Sequence, residues 1–128
     1  MIVNSAPQNL VSILKRPPQH SVVKSWGTET WYLNSEEENL CGKILFVRKG
    51  EGFKSHFHVK KFETFVILSG SIEITLIDTS NRSSHTGFLV EGECLDIKRF
   101  LPHAIKAVED TRILEISTFH RDEDSYRI

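Results

Sequence analysis

From Trp26 onward the apolar residues fall in short runs: WYL, KILFVR, FKSHFH, ETFVIL, SIEITLI, TGFLV, CLDIK, HAIKAV and RILEIST. These runs are rich in β-branched, aromatic and aliphatic residues, and they predict about nine strands. Between them lie EEEN at 36–39, KGEG at 49–52, Ser69-Gly70, residues 78–84, EGE at 91–93, residues 99–102 and Glu109-Asp110. Breaks every ~8–12 residues predict an all-β sandwich or barrel. No window of about 12 residues carries a helical period, and no segment repeats another. Residues 1–25 hold Pro7, Pro17 and Pro18 and one apolar patch, Leu10 to Leu14, which suits a single helical turn or an edge strand. They read as an N-terminal arm, residues 26–118 as the barrel, and the polar residues 119–128 as a C-terminal tail.

The 128 residues suffice for one domain, burying roughly two-thirds of the unfolded surface. A net charge of −1, with acids and bases interspersed, argues against nucleic acid as a partner and for a small molecule or protein. Neither a secretory leader nor an apolar stretch of roughly 20 residues is evident, so the expectation is a cytoplasmic protein without a membrane contact. Cys41 and Cys94 are too few for a disulfide framework and are expected to be free thiols, although a single bridge between them is compatible with the sequence.

Strand alternation puts Lys54, His56 and His58 on one face and Ser55 and Phe57 on the other. After a turn at 59–61 the chain reverses, and Glu63, Phe65 and Ile67 share the face that meets the histidines. Two imidazoles and a carboxylate are a donor set for a borderline divalent metal. His103, which opens the run HAIKAV after Pro102, is the candidate fourth donor. A lone strand histidine is more often an ordinary surface or hydrogen-bonded residue; four converging donors favour a metal.

The spacing Gly50-x5-His56-x-His58-x4-Glu63-x6-Gly70 resembles the first motif of the cupin superfamily at every interval. The second motif runs glycine, five residues, proline, one residue, glycine, two residues, histidine. Gly92 and His103 match its ends, while Lys98 stands at the proline and Phe100 at the inner glycine. These departures concern the turn more than the metal donor. The resemblance implies a double-stranded β-helix, a jelly-roll barrel, with one divalent transition metal (Mn, Fe, Ni, Co or Zn) held by His56, His58, Glu63 and His103. It also implies a homodimer, in keeping with Phe57, Val66 and Leu68 on the face away from the donors, where apolar area needs a cover.

The segments WGTETWYLN, CGKIL, KKFETFVILSG and ILEISTFHRDEDSYRI are further similar to small sugar-related cupins, including sugar and sugar-phosphate isomerases. Such isomerisation needs a Lewis acid and a base that moves a proton between neighbouring carbons. Glu115 is the candidate base and Lys54 a candidate catalytic cation; Arg48 is similarly placed. His120 and Arg127 would reach substrate only if the tail folds back, and His20 and His85 read as surface residues. Two other classes stay open, an iron-dependent dioxygenase and a non-catalytic sugar-binding or regulatory cupin.

Overall fold

A computed structural model describes residues 7–128; the first six residues of the expected arm lie outside the described residues. The described residues form a helix, α1 (Pro7–Leu14), and then eleven strands: β1 (His20–Lys24), β2 (Gly27–Ser35), β3 (Leu40–Val47), β4 (Gly52–Phe57), β5 (Glu63–Ser69), β6 (Ser71–Asp78), β7 (Ser83–Val90), β8 (Cys94–Ile97), β9 (His103–Ala107), β10 (Thr111–Ser117) and β11 (Tyr126–Arg127). One sheet has the order β1-β2-β3-β10-β5-β8 and the other β11-β4-β9-β6-β7, with every pairing antiparallel. The facing sheets make the expected jelly roll.

Alternation selects the core. In β3 and β10 every second residue is buried, as are Glu63, Phe65 and Ile67 of β5, and Val47, Phe65, Ile67, Ile72 and Ile113 are at most 1% exposed. The inward faces of both sheets thus close over one apolar centre, leaving polar inward positions gathered around β3, β5, β10 and the end of β4.

Both termini differ from the sequence expectation. Residues 20–24 of the arm form β1 on the edge of the six-stranded sheet, while the patch at 10–14 takes the helical alternative in α1, with Leu10, Val11, Ile13 and Leu14 all exposed. The polar tail folds back: Tyr126 and Arg127 pair with Phe57 and His56, and Tyr126 stacks on Phe57 with centroids 5.3 Å apart. Phe57 is therefore covered by the chain itself. It also belongs to a different sheet from Val66 and Leu68, so the three do not form one outer face.

The motif turns show how the second motif tolerates its substitutions. Gly70 takes φ 88°, and a Cβ there would lie 2.4 Å from the Asp110 carbonyl oxygen, so glycine is required twice over. Phe100, at the second motif's glycine position, adopts φ 68°. The loop keeps its left-handed turn despite the side chain, at a cost of roughly 1–2 kcal/mol. A hydrogen bond from the Phe100 N–H to the His58 carbonyl (2.7 Å) helps to hold it.

Candidate metal centre

His56 lies opposite His103 in the β4–β9 pair, and the register shifts between Phe53 and His56. Two residues of β4, Lys54 and Ser55, here face one of β9, so Phe53 and His56 point the same way although three positions apart. Phe53 packs on His56 with ring centroids 5.1 Å apart. The bulge overturns the expected alternation at Lys54, whose side chain is exposed and does not line the cavity. Arg48 is likewise exposed, donating to the Ser25 carbonyl. His20 and His85 are exposed as expected, with His20 stacked on Trp31. Cys41 and Cys94 are free.

The imidazole donor atoms of His56, His58 and His103 all lie within 4.8 Å of one another. Glu63, the first residue of β5 and 1% exposed, brings Oε2 to 3.0 Å from His58 Nε2 and 4.0 Å from His103 Nε2. Each ring turns its other nitrogen to a backbone carbonyl: His56 Nδ1 to Lys54 (3.1 Å), His58 Nδ1 to Asp124, and His103 Nδ1 to Leu101 (2.9 Å). A carbonyl only accepts, so each Nδ1 carries the proton and each Nε2 presents a lone pair.

The donor set fits a divalent metal on two further counts. Among the described residues Glu63 Oε2 and His103 Nε2 are buried without a hydrogen-bond partner, a costly state unless a cation satisfies them. Burial, joined by the neighbouring imidazoles, pushes His56 down to about 4, and burial likewise lowers His103 against the opposing pull of Glu63. Both rings are therefore neutral at neutral pH, the form that binds a metal.

Beside these donors lies a second polar cluster. Glu115 and Lys43 are directly paired across β10 and β3, and both side chains turn inward. Lys61 Nζ donates to Glu115 Oε2 and His120 Nδ1, each at 3.1 Å, and stands 3.7 Å from Glu63 Oε2. Lys43 Nζ lies 3.4 Å from both Glu29 Oε1 and His120 Nδ1, 3.8 Å from Glu115, and 3.9 Å from the Trp31 ring centre. Burial works to raise the Glu115 pKa, but the two ammonium groups outweigh it and hold the carboxyl at about 2. His120 is lowered by burial and then by Lys43 and Lys61, and it gives its Nε2 proton to Asp122 at 2.8 Å. A cavity of about 390 Å³ joins the two clusters, lined by His56, His58 and Glu63 together with Lys43, Lys61, Glu115 and His120. That is a small-molecule volume.

Glu115 thus faces inward as the sequence analysis allowed, and His120 and Arg127 reach the cavity because the C-terminal segment folds back. Lys43 and Lys61 were missed. Lys43 shares strand parity with Leu45 and Val47, which was the available signal; Lys61 sits in a turn, where alternation says nothing.

The sequence profile of the cupin family, described as "Cupin", matches residues 14–127. No curated protein matches the chain in sequence. Among solved structures, a tryptophan-substituted oxalate decarboxylase of Bacillus subtilis superposes with a TM-score of 0.74 at 21% identity, over 85% of this chain and 30% of that one. CapF of Staphylococcus aureus, a capsular polysaccharide assembling protein, gives 0.77 at 18% identity over 92% and 33%. KdgF from Halomonas sp. gives 0.64 at 15% identity over 75% and 81%. The chain spans about a third of the first two and most of the third, and at these identities the likeness is one of fold. With the profile spanning nearly the whole chain and both sheets and the histidine positions in place, the chain belongs to the cupin family.

Proposed function

We propose that this cupin is a metal-dependent isomerase or epimerase acting on a sugar or sugar phosphate. The observation that carries the reading is the juxtaposition of two clusters: three imidazoles whose Nδ1 atoms are committed to carbonyls stand together, His58 and His103 turning Nε2 toward Glu63, and His56, His58 and Glu63 line a cavity shared with a buried lysine–carboxylate cluster. His56, His58, Glu63 and His103 would hold the metal, which when bound supplies a Lewis acid for adjacent substrate oxygens. Manganese is a candidate, since the oxalate decarboxylase of B. subtilis has Mn(II) centres. CapF, described as assembling a capsular polysaccharide, is in keeping with a carbohydrate ligand.

The remaining chemistry falls to the chain's own residues. Glu115 is the carboxylate assigned to move the proton. Its two lysines keep it ionised, the accepting form, while reducing its proton affinity. Lys61 and Lys43 offer ammonium donors to substrate oxygens from the same wall, and Trp31 and Phe53 add apolar surface to the cavity. The test is metal analysis of protein purified without added metal or chelator, then a screen of sugars and sugar phosphates in D2O with each metal restored. Replacement of one carbon-bound proton by deuterium is expected for at least one substrate. No exchange with any metal would overturn the reading, and oxygen uptake with iron would replace it by the dioxygenase class.

We also propose a homodimer through the outer face of the six-stranded sheet. There Ile44, Leu114 and Val66 form a cross-strand row, with Ile116 and Leu68 beside it. Ile116 is 49% exposed and Leu68 36%, and such contiguous apolar area favours a cover. Light scattering at micromolar concentration is expected to give twice the chain mass of 14.7 kDa; a stable monomer would contradict it.

A further inference from the structure

Asp124 lies in the C-terminal segment, outside both cupin motifs, yet its carboxylate is buried against the turn that links His58 to Glu63. Its Oδ1 accepts from the backbone N–H groups of Val59 (2.9 Å) and Lys60 (3.1 Å), and its Oδ2 from those of Lys60 (3.1 Å) and Lys61 (3.0 Å). The backbone carbonyl of the same residue accepts the Nδ1 proton of His58. A single residue therefore grips the turn between two of the four metal donors and also fixes the tautomer of one of them. The segment carrying it is anchored on either side. The Asp124 N–H donates to the Arg121 carbonyl at 3.0 Å, and β11 pairs Tyr126 with Phe57 and Arg127 with His56.

We propose that Asp124 is a positioning residue of the metal centre, setting the direction of His58 Nε2 and its separation from Glu63 through the 59–61 turn. This rests on the reading that His56, His58, Glu63 and His103 hold a metal. A cap that served stability alone would need only the carboxylate bonds to the turn. The carbonyl bond to the ligand ring is what ties the segment to the metal. Burial works against the ionised carboxylate, but the three N–H donors outweigh it and hold the Asp124 carboxyl below the usual carboxylate range, so all four bonds are charge-assisted at neutral pH.

Cobalt(II) binding to the full chain, followed by visible absorption, tests the assignment in three proteins. In Asp124→Asn an amide N–H must face a backbone N–H, so at least one bond is lost and the turn shifts. Removing the support of a ligand typically costs about 10–100-fold in metal affinity, and that loss is expected here. Tyr126→Leu removes the stack on Phe57 but leaves Asp124 in place; it loosens the same segment and is expected to bind cobalt as tightly as the wild type. Wild-type affinity in Asp124→Asn, or equal weakening in both variants, overturns the proposal. Nitrogen-15 NMR of the metal-free wild type supplies a test that needs no variant: His58 is expected to carry a proton on Nδ1, and a bare Nδ1 overturns the proposal. If the wild type itself binds no cobalt, the metal-centre reading fails and this one with it, an outcome distinguished by the failure of the unaltered chain.

Discussion

His103→Gln is expected to lower divalent-metal affinity by more than about 100-fold, because it would remove a proposed ligand rather than one of the outer partners whose loss costs about 10–100-fold. His103 is fully buried and its Nε2 has no hydrogen-bond partner among the described residues. Glutamine approximates the volume of the ring, and the metal-free fold should lose only the bond to the Leu101 carbonyl, about 1 kcal/mol. Calorimetry separates the two effects. Metal at about 100–1,000 times its dissociation constant stabilises the wild type by about 3–4 kcal/mol, and His103→Gln should show no such gain while melting close to the metal-free wild type. A variant that retains one metal per chain after dialysis would remove His103 from the ligand set.

Glu115→Gln is expected to act on stability and on chemistry together. Lys61 and Lys43 are 3% and 2% exposed and depend on this carboxylate; breaking a buried pair from one side costs about 3–5 kcal/mol. Glutamine still accepts one hydrogen bond, so the lower end applies, a fall in Tm on the order of 10 °C. The pH dependence has a definite sign. The folded-state pKa, about 2, lies below the ordinary value of 4.5, so the stabilisation is complete above pH 4.5 and disappears as pH falls toward 2. The variant should therefore show a shallower acid limb in thermal melts over that window. With metal content unchanged, exchange of a substrate's carbon-bound proton should fall by about 10²–10⁴-fold. A variant that melts and exchanges like the wild type would leave Glu115 without either role.

Where alternation governs the backbone, the strands could be read from the residues. The β5 parity of Glu63, Phe65 and Ile67 is the parity of the core, and the motif spacing brought His56 opposite His103. The bulge at Lys54 and Ser55 broke that logic, because one extra residue reverses the face of everything before it. No local residue pattern announced it. The sequence spacing is nevertheless kept in the candidate metal donors, since His56 and His58 lie after the shift. The C-terminal segment was misjudged for a different reason. Composition described HRDEDSYRI as a polar tail, but the Asp124 carboxylate is buried against the N–H groups it satisfies, a long-range relation that local polarity does not encode. Lys43 was legible by parity with Leu45 and Val47, and only the habit of treating lysine as a surface residue hides it.

The central claim is that His56, His58, Glu63 and His103 hold one divalent metal. A crystal structure of manganese-loaded protein, with diffraction recorded above and below the metal edge, tests it most directly. One anomalous peak per chain is expected, with three Nε2 atoms and a Glu63 oxygen around it at about 2.0–2.3 Å. A metal found elsewhere, or these four side chains more than about 5 Å from the only peak, would contradict the claim.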